Sequence, residues 1–314
     1  MQEEQLWESL DALRRRAGGS RTDRLRFRPL PYVGSQAYLR LVYPLFRRAL
    51  RCRARTFFGT RLELLLPSGT DIYITGGKTH DSEIRLAAFL LRHLRTGDCF
   101  VDVGAHYGYF TQLASVLVGS RGRVAAFEAS PETFGVLQRN VATFDQTCCQ
   151  HAAVSDRQGT ITFYTFPNLF AEYNSTTVAE HAGASWFSRN PPTETEVPCH
   201  PLDDLLELDG EKRVLVKIDV EGGEAAVIRG SSRILAHPQA VFVMEYVNRQ
   251  RGNTAHRQAE AMFRQEGYTP FSIDGQGNLT PVTDIEDALR EQGIDSDNIA
   301  FARAGNFGQG GGTR

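Results

Sequence analysis

The chain has 314 residues, 41% of them hydrophobic and 23% charged, with a formal net charge of −2. This is the balance of an ordinary globular protein with core enough for one large or two modest domains. No run of roughly eighteen apolar residues is present to cross a membrane, and the acidic start "MQEEQLWESL" lacks the basic-then-apolar order of a secretory signal. The five cysteines (Cys52, Cys99, Cys148, Cys149, Cys199) are odd in number and without CxxC spacing. They suggest neither a disulfide framework nor a zinc site, and a cytoplasmic location is expected.

Leu6, Leu10 and Leu13 predict a helix over residues 2–17, broken by Gly18-Gly19-Ser20. Pro29 and Pro31 predict irregular chain, followed by a helix over 35–50 interrupted near Pro44. "RLELLLPSGTDIYITG" alternates on both sides of Pro67-Ser68-Gly69 and reads as a hairpin. Arginine crowds residues 14–55, where "YLRLVYPLFRRALRCRARTFF" mixes it with bulky apolar residues. The ordinary reading is a helix with its arginines in solvent; the alternative is a surface for anionic lipid or an anionic polymer. Three lysines against thirty-two arginines read as a bias of genome composition. Residues 1–78 are expected to form a basic helical and hairpin cap.

From residue 79 to 304 strand and helix alternate: helix 80–95, strand 99–103, helix 107–118, strand 123–128, helix 132–143 and strand 148–152. After the β-rich "GTITFYTF" and a long loop over 167–196 come strand 213–218, helix 222–235, strand 240–246, helix 254–266 and strands near 269–273 and 298–303. The last two flank a turn at Asp274, Gly275 and Gly277 and are expected as an antiparallel pair at the sheet edge. Such alternation predicts an α/β fold, a mostly parallel sheet with helices on both faces. Ligands in that architecture sit outside the carboxyl ends of the strands, where strand order reverses. Phe170, Tyr173, Trp186 and Phe187 make the long loop a candidate for substrate recognition. The sequon at 174–176 is discounted without other signs of secretion, and the glycine-rich tail 305–314 is expected to be disordered.

"FVDVGAHYGYF" (100–110) reads as a strand, a tight loop and a helix start. Gly104 permits the turn, Gly108 a close approach of ligand or helix, and the helix opening near Tyr107 offers free N–H groups. His106 stands where a G-x-G-x-x-G dinucleotide loop needs its second glycine, and no P-loop motif occurs. Glu128 at the next strand end suits two ribose hydroxyls. Asp102 would repel a pyrophosphate but suits the ammonium of a methionine moiety. "VKIDVEGGE" brings Lys217, Asp219 and Glu221 to the same sheet end, and Glu245 ends the following strand. Asp219 and Glu245 would be neighbours if their strands are, as tentative ligands of Mg²⁺ or with one acting as general base. His106 is a further candidate base or ligand contact.

Together "FVDVGAHYGYFT", "VAAFEASPETFGVLQRNV", "AAVSD", "HPLDDLL", "VKIDVEGGEAAVIRG" and "VMEY" resemble, in this order, the FkbM family of S-adenosylmethionine-dependent methyltransferases over roughly residues 80–303. The resemblance implies a Rossmann-like class I methyltransferase sheet of seven strands, parallel except for one near the C-terminus. It implies S-adenosylmethionine lined by Gly104 and Gly108 and by the loop residues His106 and Tyr107. Asp102 would lie near its methionine end, Glu128 at the ribose, and Ala153 to Asp156 beside the adenine, with Ala129 a further cofactor contact. Asp219 would lie by the transferable methyl, with Glu221 and Glu245 close by. The chain departs from the pattern at His106 (often asparagine), Ala129 (proline), Gly223 (alanine) and His200 or Pro201 (threonine).

The expected function is methylation of a hydroxyl on a glycan or secondary metabolite, with Asp219, Glu221 and His106 as catalytic candidates. No nucleic-acid partner is expected, and membrane contact is at most peripheral, through the basic front. A nicotinamide-dependent oxidoreductase and a non-catalytic glycan- or membrane-binding module of the same fold are the rivals.

Overall fold

The run Cys-Phe-Val-Asp-Val at 99–103 is buried at every position, as a strand covered on both faces must be. The computed structural model describes residues 2–167, 187, 190–208 and 212–306. Its central sheet has eight strands, numbered here in chain order: β1 (Cys99–Val103), β2 (Arg123–Glu128), β3 (Thr147–His151), β4 (Val214–Ile218), β5 (Ala240–Val247), β6 (Thr269–Ile273), β7 (Leu279–Pro281) and β8 (Ser296–Ala302). They lie in the order β7-β6-β8-β5-β4-β1-β2-β3. β1 to β5 are parallel, and the order reverses between β1 and β4. β8 inserts antiparallel between β5 and β6. The sheet thus has one strand more than expected. β7 pairs with β6 across the Asp274–Gly277 turn, and both β7 and β8 run against the rest.

Helices cover both faces. On one, Leu86, Ala87 and Phe89 of helix Asp81–His93 and Leu113 of helix Tyr109–Val118 pack over Phe100 and Leu215. On the other, Val227, Ile234, Ala259 and Phe263 pack over Val101, Val216 and Phe242. The expected 222–235 helix is two, Glu224–Arg229 and Ser232–Ala236, parted at Gly230, where a Cβ would lie 2.0 Å from the Ser155 carbonyl oxygen. Helix Pro131–Val141 begins as its sequence dictates, with Ser130 capping the Thr133 N–H and proline in the first turn. A small sheet joins Ala153–Ser155, Thr193–Pro201 and Gly159–Thr165 beside β2.

The front of the chain departs most from expectation. Helix Glu3–Ala17 buries Leu6, Leu10 and Leu13 in the same apolar cluster as Phe89 and Phe100, so the boundary drawn at residue 78 runs through a shared core. The segment around Pro29 is helical (Arg21–Phe27, then Pro29–Ala37), because proline is at home in a first helical turn. Helical winding continues through Pro44 to Phe46, and the chain is extended by Leu50. Strand Arg61–Leu66 pairs backwards, with Leu50–Arg55, and residues Thr70–Thr75 are a helix; the hairpin across Pro67 does not form. Among the described residues, no helix is long and apolar enough to cross a membrane. The sequon, the tail beyond Asn306, and Phe170, Tyr173 and Trp186 lie outside the described residues.

Candidate active site

β1 pairs with β2 so that Val103 faces Phe127, and with β4 so that Val103 faces Ile218; in β5, Met244 faces Ile218. One residue further along, Glu128, Gly104, Asp219 and Glu245 therefore stand in a row across the carboxyl edge. Asn298 of β8, the register partner of Glu245, continues the row. A cavity of about 420 Å³ opens along it, within the range of small-molecule sites.

At one end Glu128 is buried, its Oε2 accepting from the His106 N–H at 2.8 Å and its Oε1 from the Ser130 N–H at 2.9 Å. Burial raises its pKa to about 7 against those two hydrogen bonds. Ala129, Ala152, Ala153, Val154 and Phe163 line the cavity beside it. Gly104 has φ +78°, and a Cβ there would lie 1.9 Å from the Asp219 carbonyl oxygen. Glycine is needed for the turn and also because the β1 and β4 exits touch. Gly108 has a different duty from the ligand contact implied by its motif. A Cβ there would lie 2.6 Å from Leu137 Cδ1, so it admits a helix, and it does not line the cavity.

His106 lines the cavity with φ +50°, uncommon for a side-chain-bearing residue. Its ring lies 3.8 Å from that of Tyr107, and its buried Nε2 has no hydrogen-bond partner. Burial, then the Lys78 ammonium, pushes its pKa down to about 3, so the imidazole is neutral. Tyr107 lines the cavity too, its hydroxyl 2.7 Å from Ser68 Oγ. Asp102 lies behind the wall: Oδ1 accepts from Lys217 Nζ at 3.2 Å and Oδ2 from Thr111 Oγ1 at 2.6 Å. Its charge is met from within, correcting the expectation that it faces a ligand ammonium. Asp156, expected beside the adenine, pairs instead with Arg229 at 2.8 Å.

These residues fit the adenosyl group implied by the resemblance. A buried carboxylate suits ribose hydroxyls, small apolar residues suit a flat ring, and His106 Nε2 is a polar atom without a protein partner.

The other end is dense in acids. Lys217 Nζ lies 3.1 Å from Asp219 Oδ2, and Asp219 also hydrogen-bonds Glu245. Burial works to raise the Asp219 pKa, but the Lys217 and Lys78 ammonium groups outweigh it and hold it below its usual value. Burial, then the Asp219 charge, pushes Glu245 up to about 7. Burial, then Glu245, raises Glu221 well above its usual value. Asp219 is thus the ionised member of a carboxylate pair whose proton sits on Glu245.

The front segment completes this end with residues not singled out from sequence. Asp71, pushed to about 6 by burial and then by Glu83, lines the cavity with Ser68, Lys78 and Glu83. Lys78 is bonded to Glu83, and the Glu83 and Asp219 carboxylates hold its pKa above the ordinary value although burial works against them. Lys78 and Lys217 lie 5.6 and 5.7 Å from the Phe110 ring centroid. Two of the chain's three lysines thus bear on Asp219.

Asp219 and Glu245 do not fit a Mg²⁺ site. Asp219 already holds an ammonium and a carboxyl, and among the described residues no group of three or more His, Cys, Asp or Glu could hold a metal ion.

Residues 102–270, more than half of the chain, match the methyltransferase FkbM domain. Among solved structures, methyltransferase FkbM from Methylobacillus flagellatus is 12% identical with a TM-score of 0.40, over 75% of this chain and 53% of that one. This chain therefore spans about half the length of that protein. Fibrillarin from Aeropyrum pernix, solved with natively bound S-adenosyl-L-methionine, is 14% identical with a TM-score of 0.40, over 69% and 74% of the two chains. Precorrin-6y C5,15-methyltransferase from Geobacter metallireducens is 16% identical with a TM-score of 0.38, over 71% and 87%. These likenesses are distant ones, of fold alone. No curated protein matches the sequence.

Proposed function

The chain belongs to the FkbM methyltransferase family, and we propose that it methylates a hydroxyl of a glycan or small polyhydroxylated molecule. The reading rests on the row Glu128–Gly104–Asp219–Glu245, along which one cavity runs from Glu128 and small apolar residues to a cluster of carboxyls. When bound, S-adenosylmethionine supplies a methyl group already activated by its sulfonium. Glu128 would hold the ribose hydroxyls, Ala153, Val154 and Phe163 the ring, and His106 Nε2 a polar atom of the same ligand.

The remaining task is to align an acceptor oxygen and remove its proton. Glu245 is suited to the second role, since a carboxyl with a pKa of about 7 takes a proton more readily than one held low. Asp219, kept ionised by Lys217 and Lys78, is suited to accept a hydrogen bond from the acceptor hydroxyl and fix its direction. His106, pushed down to about 3, is too weak a base for the step. Glu221, whose pKa burial and then Glu245 raise well above its usual value, lines the cavity with Asp219 and Glu245.

The test is transfer of radiolabelled methyl from S-adenosylmethionine to a panel of glycans and polyols, with an amine panel alongside and with and without Mg²⁺. Label stable to base in a polyol, lost in Glu245→Gln, supports the reading. Label found only in amines would overturn it.

A further inference from the structure

Among the described residues, every exposed large hydrophobic lies between Leu25 and Leu50. Leu30 is 84% exposed, Leu45 78%, Leu41 67% and Phe46 66%. The helical segment carrying them turns Ser35 and Tyr43 inward and these four outward. An apolar stripe this concentrated marks a surface that is covered in use.

The charge around it is of one sign. Residues 24–62 contain ten arginines and no aspartate or glutamate. Arg26, Arg40, Arg47, Arg48, Arg51 and Arg53 are exposed. Apolar side chains interleaved with arginines, in a segment with no helix long and apolar enough to span a bilayer among the described residues, match the interface of an anionic membrane: the hydrocarbon boundary takes leucine and phenylalanine, and the headgroup phosphates take guanidinium. A second copy of the chain is a poor occupant. A two-fold interface would set each arginine cluster against itself.

We propose that the segment from Leu25 to Leu50 docks the protein on an anionic lipid bilayer. The surface lies next to the active site. Arg28 Nη1 donates to the Tyr73 carbonyl at 3.0 Å, and Tyr73 belongs to the helix whose Asp71 and Ile72 line the cavity. The proposal does not depend on which acceptor is methylated.

The test is co-sedimentation of the full chain with vesicles of phosphatidylcholine alone or mixed with phosphatidylglycerol. Binding to the mixed vesicles is expected to be at least about tenfold stronger and to weaken with salt. Leu30→Ser/Leu45→Ser is expected to lower binding to the mixed vesicles by about tenfold or more. Arg40→Gln/Arg48→Gln is expected to reduce the preference for phosphatidylglycerol. Titration with S-adenosylhomocysteine reports that both variants remain folded. No binding to either vesicle, equal binding to both, or a solution dimer dissociated by Leu30→Ser/Leu45→Ser would each overturn the proposal.

Discussion

The two ends of the cavity are built by different means. The nucleoside end comes from consecutive strand exits inside the matched residues 102–270, and Glu128 and Gly104 reach their places by sheet register alone. Much of the acceptor end comes from outside that span: Ser68, Asp71, Lys78 and Glu83 from the front, Ser296 and Asn298 from β8. A shared cofactor requires only the first kind of construction. The second kind can vary while the sheet stays the same, and under the proposed reading it is where the acceptor would be chosen.

The sharpest way to separate the two ends is Glu245→Gln. Methyl transfer is expected to fall by about 10²-fold or more, with S-adenosylhomocysteine affinity within about twofold of wild type. Loss of cofactor binding would break the division. In the wild type the rate should rise with pH through about 7 as Glu245 loses its proton, and the variant should not follow that rise. Glu128→Ala is the mirror experiment. Calorimetry should show S-adenosylhomocysteine affinity weakened by about 10- to 100-fold, the range for a lost hydrogen bond to a charged group.

Lys78→Met sharpens the comparison further. It removes an ammonium from Asp219 and Glu83, and the acceptor KM should rise by about three- to tenfold while cofactor affinity holds. A separate effect is on stability. The Glu128 pKa is raised in the fold, so its contribution is fully present below the unfolded value and is lost as pH rises through about 7. This group alone should contribute on the order of 3 kcal/mol less stability at about pH 8 than at about pH 5, while the buried His93, His106 and His256, with pKa values pushed down, act in the opposite direction. Glu128→Gln should raise the melting temperature at about pH 8 relative to that at about pH 5, compared with wild type.

The same division explains what the sequence disclosed. β1 and β4 are largely apolar runs followed at once by a glycine or an acid, β5 carries its acid two residues before its end, and a buried parallel strand leaves that kind of pattern whatever surrounds it. Asp219 and Glu245 were expected to be neighbours if their strands were, and the register makes them so. The front was harder because its local signals are ambiguous. Leu62, Leu64 and Leu66, then Ile72 and Ile74, alternate as strands do. Yet the second group winds into a helix of six residues whose place is decided by packing. Nothing local tells Asp71 from an ordinary turn acid. Asp102 misled for the opposite reason: its position is that of a ligand contact, and only the long reach of Lys217 from the neighbouring strand reveals that its charge is spent.

The contact between Gly104 and the Asp219 carbonyl has a mechanical meaning. Gly104 and Ala105 both donate to the Phe127 carbonyl, and Asp219 donates to that of Val103, so three strand exits are riveted to one another. The donor recess and the carboxylate pair are thus fixed like the jaws of a locked caliper. Under the proposed reading, the spacing between donor and base would be set by backbone, and an acceptor would be sorted by how far its hydroxyl stands from the rest of it.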